Sequence, residues 1–205
     1  MLFRSRAKNE VAIPAAVAAE GVSEAPRPVA ETVRVVETDD RLTGIDRSSF
    51  AFPSGEANLA IAYVSPHVDF AALTTRLVGL AGRTRVIAVS TAGELCSASG
   101  ALYRPTGDRW SSVTLQVFPP DLVEAVSVHA VPLHNEDIRK GAPDRSRDQR
   151  VEAIARSLAS VRPEFRIRAQ DTFALTFVDG LSASENYFME AVYRSGRFPC
   201  LFVGG

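Results

Sequence analysis

Apolar, β-branched runs alternate with amphipathic stretches along most of this chain. Leu59-Ala60-Ile61-Ala62-Tyr63-Val64 predicts a buried strand, and Ser65-Pro66 ends it. The spacing of Phe70, Leu73, Leu77 and Leu80 predicts a helix with Asp69 as its N-cap and Gly82 as its stop. Arg85–Ser90 predicts a second buried strand. Strand, helix and strand together imply a parallel pair with a right-handed crossover. Val113–Val117 alternates, Pro119-Pro120-Asp121 turns the chain, and Ala125–Leu133 alternates again, which predicts an antiparallel hairpin.

A helix is expected through Val151, Ile154, Ala155, Leu158 and Val161, ended by Pro163. Thr172–Val178 is a further buried strand. Ser182-Ala183-Ser184-Glu185 has the Ser-x-x-Glu form of a capping box. The helix it would open carries Phe188, Ala191 and Val192 on its apolar face and stops at Gly196. Cys200–Val203 begins the next strand. The expected fold is α/β, with a mixed, mostly parallel sheet flanked by helices and an antiparallel hairpin.

Residues 1–45 differ in character. Ala, Val, Glu and Pro dominate, and Pro14, Pro26 and Pro28 break any long helix, so a disordered leader is expected, ending in an extended piece at Thr32–Val36. The folded region is placed at 46–205. His134–Arg150 is dense in charge of both signs and reads as a solvated loop. A net charge of −1 over 205 residues gives no long-range pull toward nucleic acid or an anionic membrane. No window approaches the roughly 18 apolar residues of a membrane helix. Glu10 and Pro14 interrupt the stretch after the basic start, so a secretory signal is not expected. Cys96 and Cys200 lack metal-ligand spacing and read as reduced, small buried hydrophobes in a cytoplasmic protein.

The candidate chemistry lies where buried strands run into small polar turns. Arg85–Ser90 enters Ser90-Thr91-Ala92-Gly93-Glu94, Thr172–Val178 enters Asp179-Gly180-Leu181-Ser182, and Cys200–Val203 enters Gly204-Gly205. Were the strands parallel in one sheet, these turns would gather at its carboxyl edge, where open α/β sheets bind ligands. Ser90, Thr91 and Glu94 would then supply hydroxyl and carboxylate contacts, with Gly93 admitting a close approach. The other reading is a tight turn whose hydroxyls are satisfied locally. Asp179 has the same two readings, as a ligand contact beside Gly180 or as a bond to its own turn amides. Gly204 and Gly205 would offer amide donors to an anion. Glu185 reads as a capping residue.

Catalytic templates are missing: there is no Gly-x-Ser-x-Gly elbow, no phosphate loop, no dinucleotide turn and no His-Glu-x-x-His pair. His67, His129 and His134 form no metal array. His67 is the best placed of them for an axial haem ligand, although a plain loop histidine is the simpler reading. A hydrolase using Ser90 or Thr91 lacks a base close in sequence. Cys96–Ser112, with Trp110, is long enough either to fold over a site or to connect two strands.

Ala62-Tyr63-Val64-Ser65-Pro66, Ile87–Glu94, Val178–Ser182 and Val203-Gly204-Gly205 occur in this order. That series resembles the N-terminal part of the FIST domain, named for F-box and intracellular signal transduction proteins, over roughly residues 50–205. The resemblance implies a ligand-sensing module without catalytic activity, for which amino acids are proposed ligands. The implied partners are bacterial histidine kinases, chemotaxis receptors or cyclic-di-GMP enzymes. Some members are haem proteins that sense nitric oxide. Members usually continue past the Gly-Gly motif into a second half, so the resemblance makes this chain look truncated at its C-terminus, with an exposed edge strand prone to association.

Overall fold

A computed structural model describes residues 2–5, 32–93, 96 and 111–205. In chain order its elements are β1 (Leu2–Ser5), β2 (Arg34–Asp39), β3 (Ala51–Phe52), β4 (Gly55–Glu56), β5 (Leu59–Val64), α1 (Phe70–Ala81) and β6 (Arg85–Ser90). They continue as β7 (Ser112–Phe118), β8 (Val123–Ser127), α2 (Glu136–Arg139), α3 (Arg147–Ala159), β9 (Thr172–Thr176), α4 (Glu185–Ser195) and β10 (Leu201–Gly204). The described residues fall into two compact units, one of residues 32–122 and one of residues 2–5 with 123–205. The α/β class with mixed sheets holds in both.

Residues 32–122 build a four-stranded sheet in the order β2-β7-β5-β6. β5 and β6 are parallel, from Leu59 opposite Arg85 to Val64 opposite Ser90, while β7 runs antiparallel to both β5 and β2. The β5–α1–β6 unit follows its sequence signals closely. The Asp69 carboxylate accepts the Ala72 amide at 3.0 Å, and Gly82 takes a φ of 61° that ends the helix. α1 presents Leu73, Leu77 and Ala81 to a core of Ala60, Ala62, Val64, Val113, Leu115 and Val117. Each leucine so buried contributes on the order of 1.5–3 kcal/mol. Phe70, expected on that face, is instead exposed at the first turn.

The other unit holds the sheet β10-β9-β1-β8. β9 and β10 are parallel, and β1 is antiparallel to both of its neighbours. Phe3 is buried and stacks on Phe173, its partner in register, with ring centroids 4.7 Å apart. α3 and α4 pack through Val151, Ile154, Leu158, Ala191 and Val192. α3 opens on a reciprocal cap: Ser146 Oγ accepts the Gln149 amide, and Gln149 Oε1 accepts the Ser146 amide.

Several expectations change. β7 and β8 do not form a hairpin: each finds its partners in a different sheet, because the apolar faces they must bury belong to different cores. Parallel pairing is confined to β5/β6 and β9/β10 among the described strands. The extended piece expected at Thr32–Val36 is met by the strand Arg34–Asp39, which runs on to a buried Thr38, whereas Leu2–Ser5, expected in the disordered leader, is a strand with Leu2 and Phe3 buried. Residues 6–31 of the expected leader lie outside the described residues. Ser182 does not cap α4. With Ala183 at a φ of 48°, Ser184 takes the N-cap position, and Ser182 Oγ accepts the Ser184 amide.

The charge-dense stretch 134–150 is more than a solvated loop. It contains α2 and a two-pronged ion pair in which Arg150 NH1 and NH2 donate to the Asp137 carboxylate at 2.8 and 2.5 Å. Side-chain exposure is only 3% for Arg150 and 13% for Asp137, and Asp137 also accepts the Asp144 amide at 2.8 Å. The Arg150 guanidinium, helped by that amide, holds the Asp137 carboxyl well below the usual carboxylate range. A depressed folded pKa gives stability that is complete above the unfolded value of about 3.9 and is lost as pH falls through the folded value. Asp137→Asn is therefore expected to be less stable at neutral pH and to lose less of its remaining stability on acidification below about pH 4. Urea unfolding across pH tests this, and parallel acid limbs for the two proteins would contradict it.

Candidate functional site

Strand alternation decides what the sheet β2-β7-β5-β6 shows on its second face. Val36, Leu115, Ala62 and Ala88 lie in one cross-strand row and join the core. Their neighbours in sequence are committed to the opposite face, where Glu37, Thr114, Tyr63 and Val89 form one row and Val35, Gln116, Ile61 and Ile87 the next. The ladders run one residue past the strands, because Ser65 N donates to Ser112 O and Thr91 N donates to Val64 O. Ser112, Ser65 and Thr91 thereby form a third row at the carboxyl end of the β5/β6 pair.

The result is a face that mixes polar side chains with apolar ones such as Ile61 and Val89, on a sheet whose other side packs its centre against α1. The Ser65 and Ser112 hydroxyls lie 2.8 Å apart, and the Tyr63 hydroxyl makes a long bond of 3.5 Å to Gln116 Oε1. Burial pushes the Tyr63 phenol pKa up, so this group stays neutral and able to donate. Thr114 is 5% exposed, and its hydroxyl oxygen has no hydrogen-bond partner among the described residues. A buried polar atom in that condition costs about 1–3 kcal/mol. Glu37 and Tyr63, directly opposite it on the flanking strands, are half-buried.

The residues expected from sequence are distributed unequally about this face. Thr91 belongs to it, whereas Ser90, one residue earlier, alternates to the other side and is exposed. Gly93 is exposed in the turn, and Glu94 lies outside the described residues, as do Trp110 and most of the expected covering segment. Asp179 meets its local reading: Oδ1 accepts the Leu181 amide at 3.0 Å and its carbonyl accepts the Ser182 amide at 2.8 Å. The three turns do not share one edge, because β6 lies in one sheet and β9 and β10 in another. Two of them do meet. Val178 N donates to Gly205 O at 2.9 Å, which sets Asp179-Gly180 beside Gly204-Gly205.

Gly204 is required at its position. Its φ is 110°, and a Cβ there would collide with the Thr176 carbonyl oxygen. Glu185 opens α4 as its first helical residue, and its carboxylate suits the positive end of the helix dipole.

His67 lies exposed on the turn between β5 and α1. An axial haem ligand works from inside a pocket whose walls set access and polarity, and an exposed turn supplies none. His129 Nε2 and His134 Nε2 are each paired with a serine hydroxyl, Ser127 Oγ at 2.8 Å and Ser157 Oγ at 2.9 Å. Among the described residues no three His, Cys, Asp or Glu side chains converge to hold a metal ion, and no helix is long and apolar enough to cross a membrane. Cys96 is buried and Cys200 half-buried, and neither is in a disulfide.

Against this geometry the family can be stated. Residues 58–205 match the family model of the FIST N domain, and the chain belongs to that family. It is a sensory domain of signal transduction. Comparison with curated proteins and with solved structures found no match. The matched span covers β5 through β10, and so includes both strand edges described above.

The polar face was accessible to sequence reasoning only in part. Tyr63 stands out as a polar-tipped position within the apolar run of β5, whereas Thr114 and Gln116 fall on the polar side of an ordinary alternating strand. At the other edge, Gly204→Ala is expected to destabilise its unit by about 1–3 kcal/mol, through the strained φ and the collision with Thr176. Gly180→Ala, where no atom lies within 4 Å of the added carbon, is expected to change stability by less than about 0.5 kcal/mol. Similar urea midpoints for the two variants would contradict the role given to Gly204.

Proposed function

We propose that this FIST domain binds a small polar ligand, an amino acid or a metabolite of similar size, on the polar face at the carboxyl end of the β5/β6 pair. It acts by binding and not by catalysis, and it signals in the cytoplasm through a partner protein such as a histidine kinase, a chemotaxis receptor or a cyclic-di-GMP enzyme. One observation carries the reading. Thr114 places a buried hydroxyl, without a hydrogen-bond partner among the described residues, between Glu37 and Tyr63 on the face of the sheet turned away from α1. Buried polar atoms are rarely left so, and a ligand that bonds the hydroxyl recovers the lost interaction. A carboxylate, a threonine hydroxyl, a phenol and a carboxamide within neighbouring rows suit a ligand rich in N–H and O–H donors. Thr91 and the Ser65–Ser112 pair extend that surface toward the turn that ends at Gly93.

Thermal-shift screening of amino acids and other polar metabolites tests the reading, because a ligand bound only by the native state raises its stability by about 2.7 kcal/mol at a hundredfold excess over Kd. Thr114→Val separates ligand binding from folding. It removes the unpaired hydroxyl, so the variant without ligand is expected to gain about 1 kcal/mol, while the shift caused by a hit is lost. Glu37→Gln is expected to weaken the same hit. A hit that binds Thr114→Val and Glu37→Gln as tightly as the parent would move the site off this face. A folded protein that responds to nothing in the panel would count against ligand sensing here.

A further inference from the structure

The unit of residues 2–5 and 123–205 carries a second polar site that the β-sheet edges do not explain. A cleft of about 660 Å³ is lined by His134, Asp144, Arg145, Gln149, Arg156 and Ser157. That volume is within the usual range for small-molecule sites, about 300–1,000 Å³. Its floor is one stripe of α3, since Gln149, Arg156 and Ser157 recur at helical spacing. Its wall is the segment that runs from His134 to the start of that helix.

This wall is held in place from behind. Asp137 grips buried Arg150 with both oxygens and takes the Asp144 amide as well, which fixes the two ends of the segment relative to α3. Arg145 NH1 donates to the His134 carbonyl at 3.3 Å, and Gln149 is locked in the cap of Ser146. His134 itself has a φ of 52°, a left-handed conformation uncommon for a residue with a side chain. In that conformation its imidazole Nε2 meets Ser157 Oγ at 2.9 Å inside the cleft. Backbone strain kept by a well-braced segment is typical of binding and switch regions.

The lining sets two guanidiniums, an imidazole and a hydroxyl against one carboxylate. The acidic neighbours are loosely held: Arg145 Nε is 3.9 Å from Asp144, and Arg156 NH1 is 4.0 Å from Glu152. Both contacts are at the outer limit of an ion pair and leave the guanidinium forks able to turn toward two oxygens of a carboxylate or phosphate, which they bind through two parallel hydrogen bonds. His134 Nε2 and Ser157 Oγ, bonded to each other, with Ser157 Oγ also within reach of the Ala153 carbonyl, form the polar wall beside the two guanidiniums.

We infer that this cleft is a second ligand site, which takes a small molecule bearing an oxyanion, a phosphate or a carboxylate, on Arg145 and Arg156 with His134 and Ser157 beside them. It is independent of the polar face on the β2-β7-β5-β6 sheet, and its test does not depend on any ligand of that face. Titration calorimetry of the full chain with inorganic phosphate and with succinate, at ionic strength held constant with sodium chloride, separates the two sources of the oxyanion. At least one is expected to bind saturably, with the His134 imidazole signals in the NMR spectrum moving along the same isotherm. Arg145→Gln and Arg156→Gln are each expected to weaken that binding about tenfold, and the double variant to abolish it. The Arg145 side chain is 43% and that of Arg156 72% exposed, so neither substitution opens the core, and an unchanged thermal midpoint checks that each variant is folded. Arg83→Gln makes the same change in net charge at an exposed position in the other unit and is expected to leave the affinity unchanged. Failure of both anions to bind, stationary His134 signals, or equal weakening by Arg83→Gln would overturn the inference.

Discussion

Alternation along β5 and β7 is the constraint on which the candidate site depends. To bury Ala60, Ala62, Val64, Val113, Leu115 and Val117 against α1, the sheet must send the residues between them to the opposite face. A one-residue slip would drive Thr114 and Tyr63 into the apolar core and lift Leu115 and Ala62 out of it, so the register that stabilises the fold also places the polar residues. The antiparallel β2–β7 ladder brings Glu37 opposite Thr114, and the β5–β7 ladder brings Tyr63 opposite it from the other side. Three polar groups far apart in sequence thus become neighbours through backbone pairing alone.

The second unit uses a different device. Its sheet is narrow in chemistry, with glycines at the edge of β10 and a turn carboxylate engaged locally at Asp179. Its polar chemistry is concentrated around α3, where a buried Arg150–Asp137 pair braces the preceding segment. Pairs of this kind contribute little net stability compared with apolar packing, because removing both charges from water is costly. Their usefulness is geometric: a two-pronged bond between a guanidinium and a carboxylate permits few arrangements. Here it orders a charged segment that water would otherwise solvate.

Local signals in the sequence identified the local structure. Asp69 and Gly82 bounded α1, Gly196 stopped α4 in a left-handed conformation, and the apolar runs located β5, β6, β9 and β10 within a residue or two. What sequence did not disclose was non-local. Pro119-Pro120-Asp121 looks like a hairpin turn, yet β7 and β8 pair with strands dozens of residues away, and no local propensity encodes that choice. The four-residue β1 is too short for periodicity to separate from noise. Thr91 was picked out by the turn that follows β6, while Thr114 and Glu37 were not, because one polar residue in an alternating strand is indistinguishable from an ordinary solvent-facing position. The segment 134–150 misled for the opposite reason: its mixed charge resembles a solvated loop until Arg150 is seen to be buried.

The central claim is that the Glu37–Thr114–Tyr63 row is a ligand surface and not a polar stripe of the folded core. Side-chain NMR during titration with a ligand found by screening tests it most directly, with labels at the Thr114 methyl and the Glu37 carboxyl carbon. If the row is a ligand surface, both signals move saturably, with the dissociation constant measured by calorimetry, while the methyls of Leu73 and Leu77 on the core side stay fixed. Ligand binding that leaves the Thr114 and Glu37 signals in place would contradict it.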